Sequence, residues 1–324
     1  MISLEAIEAA AQRLTGVAVH TPLIENDELN AIAGGRVLVK PECLQRTGSF
    51  KIRGAYNLIS QLDDTQRKRG VVAFSSGNHA QGVAAAGGLL GVATTIVMPA
   101  DAPAMKLNNT RRLGGHVITY DRYTESREAI AARIAKETGA IVVPPYDHPD
   151  IIAGQGTAGL EIRDDLQALG LIPDQLLICC GGGGLTAGMA VALKSAFSQM
   201  AVHPVEPQDF DDTKRSLISG QRETIDPSAR SICDSVLAPS PGELTFEILQ
   251  SVGASGLVVS EANVRNAMRF AFRHLKLVVE PGAAVALAAV LAGKLETSGR
   301  VSVLTLSGGN VDPGLFGEIQ AERD

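Results

Sequence analysis

From residue 36 onward, short unbroken apolar runs alternate with longer stretches whose apolar residues recur every three or four positions. The runs at 35–40 (GRVLVK), 71–76 (VVAFSS), 93–98 (ATTIVM), 116–120 (HVITY), 140–143, 176–180 (LLICC), 201–205 and 301–306 predict strands. Segments 50–62, 78–90, 104–113, 124–138, the stretch after Pro149, 185–197, 262–277 and 283–293 predict helices. Strands that are apolar on both faces and separated by helices belong to parallel sheets covered on both sides. The expected fold class is therefore α/β, with two open, mostly parallel sheets. Residues 221–243 form the longest stretch without periodicity and predict a packed loop, and Arg67-Lys68-Arg69 predicts a solvated loop before a strand.

Composition narrows the function. A chain of 324 residues suggests two domains, and 45% hydrophobic content supports ordinary buried cores. The 29 Lys+Arg against 35 Asp+Glu give a net charge of −6, which argues against nucleic acid as a partner, because phosphate backbones need clustered cations. No apolar run approaches the ~20 residues of a membrane span, and Glu5 and Glu8 stand where a secretory signal would be basic and then apolar. A cytoplasmic protein is expected. Cys43, Cys179, Cys180 and Cys233 show no metal or disulfide spacing, and Cys179-Cys180 read as small apolar strand residues.

Four loops at predicted strand ends carry chemistry, and strand ends are where open α/β sheets bind ligands. Gly181-Gly182-Gly183-Gly184 precedes a helix; such a loop wraps backbone N–H groups around a phosphate, whereas a tight turn alone needs one or two glycines. Thr47-Gly48-Ser49-Phe50-Lys51 places an amine at the start of an apolar helix, suited to Schiff-base chemistry, although Arg53 nearby also fits a plain basic helix start. Ser75-Ser76-Gly77-Asn78-His79 is a carboxylate cradle or an ordinary helix cap. Ser307-Gly308-Gly309-Asn310 offers a hydroxyl or a simple turn. A phosphate cup, an amine, a carboxylate cradle and a hydroxyl together suit a phosphorylated aldehyde cofactor and an amino-acid substrate.

The segments KPECLQRTGSFKIRGA (40–55), SSGNHAQG (75–82), AGQGT (153–157), GGGGL (181–185) and LSGGNVD (306–312) resemble the fold-type-II pyridoxal-phosphate enzymes, in the threonine/serine dehydratase and serine racemase branch. The resemblance runs from about Thr21 to Asp312. It implies two tryptophan-synthase-β-like α/β domains with the cofactor in the cleft. Residues 1–50 and 148–324 would form the large domain, and 51–147 the small mobile one. Lys51 would hold pyridoxal 5'-phosphate as a Schiff base with Phe50 against the ring. Gly181, Gly182, Gly183, Gly184 and Leu185 would bind the phosphate, Asn78 the ring's phenolic oxygen and Ser307 the pyridine nitrogen. The substrate carboxylate would sit on Ser75, Ser76, Gly77, Asn78 and His79.

The implied reaction is α,β-elimination. Lys51 removes the α-proton, the β-hydroxyl leaves, and hydrolysis gives a 2-oxo acid and ammonia, from L-threonine or L-serine. Ser76 matches the opposite-face acid/base of serine racemases, which keeps amino-acid racemisation as the alternative. Arg127 matches an arginine near the racemase site, or pairs at the surface with Glu125 or Glu128. Glu206, the Phe210 carbonyl and Asp212 match a structural Mg²⁺ or Ca²⁺ site; a solvated acidic loop is the other reading. Ser235 follows Asp234 where relatives carry glycine, on the wall facing the substrate side chain, and Tyr146 would line the same mouth. Another β-hydroxy amino acid, such as 3-hydroxyaspartate or a bulkier β-substituted serine, therefore stays open. A homodimer without a feedback domain is expected. A nicotinamide oxidoreductase is disfavoured by the missing GxGxxG, and a non-catalytic sensor by Lys51 with Ser76 and Ser307.

Overall fold

A computed structural model describes residues 2–322 other than Ser76, Pro103 and Arg122. Among these residues ten strands form two sheets. They are β1 (Ile24–Glu25), β2 (Arg36–Lys40), β3 (Val71–Phe74), β4 (Thr94–Pro99), β5 (His116–Tyr120), β6 (Ile141–Val142), β7 (Gln175–Cys179), β8 (Ala201–Pro207), β9 (Leu257–Val259) and β10 (Val301–Thr305). The six-stranded sheet runs β1-β2-β10-β7-β8-β9 and the four-stranded sheet β5-β4-β3-β6. Every pairing is parallel except that of the short edge strand β1 with β2. The two expected parallel sheets are present, and their central strands are buried as the unbroken apolar runs require.

The helix Pro281–Leu291 has no polar face, and it is buried from Pro281 through Val290 in the core of the larger sheet. The helices Pro149–Ala168 and Gly184–Lys194 approach closely through small residues. A Cβ on Gly156 would lie 2.8 Å from the Gly188 carbonyl oxygen. That contact fixes the start of the second helix, and with it the four-glycine turn.

Several local expectations are corrected. Arg67-Lys68-Arg69 is the last turn of a helix, Asp64–Arg69, closed at its start by an Asp63/Gln66 capping box. The segment expected to be helical from 124 starts at Arg127, because the Ser126 side chain caps it by accepting from the Ala129 N–H. The helix expected over 262–277 spans Glu261–Phe270 and then widens into a π-type turn over Ala271–Leu275. Helices Leu4–Arg13, Asp27–Ala33, Glu243–Ser251 and Pro313–Ala321 had no sequence expectation. Residues 221–242 hold one short 3₁₀ turn, Asp234–Val236; Cys233, Val236, Pro241 and Gly242 are buried, whereas most of 221–230 is exposed, so only the second half of the segment packs against the fold.

Arg53 is not a solvated helix start. It is fully buried and donates to both Glu42 oxygens (2.7 and 2.8 Å), both Glu161 oxygens (2.7 and 2.9 Å), the Thr157 hydroxyl and the Val19 carbonyl. Lys40 completes this cluster with a 2.6 Å bond to Glu161. Arg53 lies two positions after Lys51, so the cluster anchors the first turn of the Lys51–Ser60 helix to β2 and to the Pro149–Ala168 helix.

Candidate active site

The ends of β3, β7 and β10 open onto one cavity of about 440 Å³. It is lined by Phe50, Lys51, Ser75, Gly77, Asn78, His79, Gly181, Gly182, Gly183, Gly184, Leu185, Ser235 and Ser307. The four loops singled out from sequence, more than 250 positions apart at their extremes, thus converge. Ser76 lies outside the described residues. Glu206, Phe210 and Asp212 are not part of the lining.

Lys51 begins its helix, and its Nζ donates to the Pro145 carbonyl at 2.7 Å while lying 5.1 Å from the Phe50 ring centroid. Burial pulls its pKa from 10.5 down to about 8, and nearby Cys179 and Glu280 oppose that drop. An amine with its pKa lowered this far supplies more free base, and so more nucleophile, at moderate pH than an ordinary lysine.

The glycine turn has no room for side chains. A Cβ on Gly182 would overlap the Tyr146 ring, and Gly183 has a φ of +92° beside Thr245. Gly183 is also the cap position of the Gly184–Lys194 helix and offers no side-chain acceptor, so the first N–H groups of that helix remain available to an anion. The same holds at the other loop. Gly77 is the cap residue of the Asn78–Leu90 helix, and among the described residues no side chain caps it. His79 is buried, its Nε2 donates to the Val143 carbonyl at 2.8 Å, and burial with the Lys51 charge pushes its pKa down to about 3. It is a neutral wall residue.

The aperiodic 221–242 segment contributes Arg222, Asp234, Ser235 and Val236 to the cavity. Asp234 accepts a 2.5 Å bond from Lys106, tying that loop to the Ala104–Arg112 helix beside the smaller sheet. Arg127 both lines the cavity and pairs with Glu128 at 2.8 Å, with its guanidinium 5.7 Å from the Phe74 ring. Tyr146 lies against the glycine turn, and the adjacent Asp147 accepts N–H bonds from Glu243 and Leu244.

Sequence reasoning missed Glu280 and treated Cys179 as only a strand residue. Both line the cavity. Cys179 is buried, and burial pushes its thiol up to about 11. Glu280 receives a bond from Asn78 Nδ2, and burial with the Asp234 charge raises its carboxyl to about 7. The available signal was an acid closing the apolar run LKLVVE, immediately before Pro281.

Outside the cavity, Glu206 and Asp212 are buried together. Glu206 accepts from the N–H groups of Thr213 and Lys214, and burial plus the Asp212 charge raises it to about 8. Asp212, raised to about 7 by burial, has a buried Oδ2 with no hydrogen-bond partner. An unpaired buried carboxylate oxygen beside a second carboxylate is a donor set that fits a hard divalent cation.

A family model described as pyridoxal-phosphate dependent enzyme matches residues 14–308. The chain is 44% identical over 303 residues to an L-threo-3-hydroxyaspartate ammonia-lyase of a Pseudomonas species, covering 94% of this chain and 93% of that one. It is 38% identical to the serine racemase of Schizosaccharomyces pombe, covering 94% and 93%. Among solved structures, maize serine racemase superposes with a TM-score of 0.92 at 36% identity, covering 98% of this chain and 96% of that one.

Proposed function

Because the chain belongs to the pyridoxal-phosphate dependent enzymes, we propose that it is an ammonia-lyase. It would convert a β-hydroxy amino acid, threonine or serine first, to a 2-oxo acid and ammonia. The observation that carries this reading is the convergence of the Lys51 amine, the four-glycine turn and the Ser307 hydroxyl on one cavity. Lys51 would hold the cofactor, the 181–185 turn its phosphate, Asn78 its ring oxygen and Ser307 its ring nitrogen. When bound, pyridoxal phosphate supplies an electron sink for negative charge at the substrate α-carbon.

The chain's own groups do the rest. The uncapped start of the Asn78–Leu90 helix holds the substrate carboxylate, with Ser75 to His79 as its cradle. Lys51 Nζ, its pKa lowered to about 8 by burial, takes the α-proton. Loss of the β-hydroxyl as water, followed by hydrolysis, yields the keto acid and ammonia. Residues 51–147 are read as the small domain, which closes on the large one (1–50 and 148–324) through contacts such as Lys106–Asp234 and so excludes water. Glu206, the Phe210 carbonyl and Asp212 are read as a Mg²⁺ or Ca²⁺ site that steadies the fold, on the strength of the unpaired Asp212 oxygen. A homodimer would cover the exposed apolar side chains of Leu44, Phe272 and Val278. Four free cysteines fit a reducing, cytoplasmic setting.

A second reading has a specific support. Lys106, Arg127 and Arg222 line the cavity, and Arg222 has no carboxylate partner among the described residues, its Nε donating to the Pro241 carbonyl. A substrate with a second carboxylate, such as 3-hydroxyaspartate, meets cations there. The test is the absorbance of the purified protein near 410–420 nm, roughly where this cofactor absorbs when bound through a lysine. Ammonia, keto acid and D-serine are then assayed over threonine, serine and 3-hydroxyaspartate. Ammonia from threonine or serine supports the main reading, and preferential turnover of 3-hydroxyaspartate supports the second. D-Serine without pyruvate points to a racemase, and no ammonia from any of the three overturns the lyase.

A further inference from the structure

Asn78 occupies the first position of the Asn78–Leu90 helix, buried at 7% exposure, with its amide at the cavity wall. Both ends of that amide are engaged from behind. Its Oδ1 accepts from Asn310 Nδ2 at 2.8 Å, and its Nδ2 donates to Glu280 Oε1 at 2.5 Å. Asn310 is itself fixed, because the same Nδ2 donates to the Thr47 carbonyl at 2.8 Å and so uses both of its hydrogens. Inverting the Asn78 amide would set its NH₂ against the NH₂ of Asn310 whatever the state of Glu280, and its oxygen against a carboxylate oxygen when Glu280 is ionised. The bond from Asn310 would be replaced by a donor-against-donor contact in a buried place, and the bond to the Glu280 carboxylate by an acceptor-against-acceptor one. One orientation survives, and it leaves Asn78 one uncommitted N–H.

Glu280 is placed for this task and for no local one. It is the cap residue of the Pro281–Leu291 helix, yet its side chain makes no cap bond. Its backbone N–H donates to the Gly308 carbonyl at 3.1 Å, and a Cβ on Gly308 would overlap its Oε1. A carboxyl that leaves its own helix start uncapped and is pressed by a glycine onto a neighbouring amide is being used as an acceptor.

We propose that Glu280 and Asn310 are positioning residues that lock the Asn78 amide as a hydrogen-bond donor toward the ring oxygen of bound pyridoxal phosphate. This rests on the cofactor reading above. The lock needs an acceptor at Glu280, not a charge, so the amide of Glu280→Gln preserves it and Glu280→Leu destroys it.

The experiment titrates pyridoxal phosphate and 3-deoxypyridoxal phosphate, which lacks the ring oxygen, into full-length cofactor-free protein. The parent, Glu280→Gln, Glu280→Leu and Asn310→Ala are compared. Glu280→Leu is expected to weaken pyridoxal phosphate about tenfold, the effect of one orienting hydrogen bond, with the deoxy compound within about twofold of the parent. Glu280→Gln stays within about threefold of the parent for both compounds. Asn310→Ala, at the other end of the clamp, shows the same selective loss as Glu280→Leu and serves if that variant does not fold. Equal weakening of both compounds, or unchanged preference in both Glu280→Leu and Asn310→Ala, overturns the positioning role alone. A parent that binds neither compound overturns the cofactor reading and this inference with it.

Discussion

The Lys51 amine is expected to titrate near pH 8 in the cofactor-free protein, against 10.5 for a lysine in water. At pH 7 about one molecule in ten would carry it unprotonated, against about one in three thousand for an ordinary lysine, a gain of roughly 300-fold in free amine. The cause is burial, with Cys179 and Glu280 pulling the other way. The drop corresponds to about 3 kcal/mol at the usual cost per pKa unit. Because the folded pKa lies below the unfolded one, the folded state carries this penalty in full below about pH 8. The penalty shrinks between about pH 8 and 10.5, where the unfolded chain still binds the proton and the folded one does not, so this residue makes stability rise with pH in that window. The assay is competitive acetylation with trace acetic anhydride from pH 6 to 11, quantifying the Lys51 peptide by mass spectrometry. A short lysine peptide added to the same tube is the internal standard. Lys51 labelling should plateau near pH 8 to 9 while the added peptide, with an ordinary lysine pKa of about 10.4, keeps rising. A Lys51 curve that follows the added peptide would refute the argument that burial activates the amine.

Arg53→Met should cost about 3–5 kcal/mol, because it strands Glu42 without its guanidinium in a fully buried site. A urea titration that places the variant within about 1 kcal/mol of the parent would contradict this. Gly182→Ala should displace Tyr146 and weaken pyridoxal phosphate by about tenfold or more, since the added methyl overlaps the ring; the check is a cofactor titration followed by absorbance. Saturating Mg²⁺ or Ca²⁺ should raise the melting temperature, with about 2.7 kcal/mol available at a hundred times the dissociation constant, and chelator should reverse the gain. Glu206→Gln should abolish that response, and a response that survives would move the cation site elsewhere.

The sequence was most legible where one residue type meets one demand. Four consecutive glycines after a strand could be read as a phosphate turn, and the structure adds why all four are needed: Val236, Tyr146, Thr245 and Gln155 crowd them in turn. The strands β2 to β8 and β10 were legible because a parallel sheet covered on both faces forces unbroken apolar runs, whereas the short edge strands β1 and β9 were not. Short helices such as Asp64–Arg69 and Asp27–Ala33 were not, because six or seven residues carry too little periodicity to rise above a polar loop.

Chain chemistry by itself thus determined the fold class, the amine, the anion turn and the hydroxyl, since each depends on a local pattern of side chains or on their absence. Which groups face one another was decided only in three dimensions. Arg53, one charged residue among many in the sequence, becomes the centre of a buried ion cluster because the turn after β2 and the Pro149–Ala168 helix deliver Glu42 and Glu161 to it. Glu280, unremarked beside Pro281, becomes a wall of the active site because the β10 turn presses it onto Asn78, 202 positions away. Burial and long-range pairing set the pKa values and the amide orientation, and neither is a property of neighbouring residues in the chain.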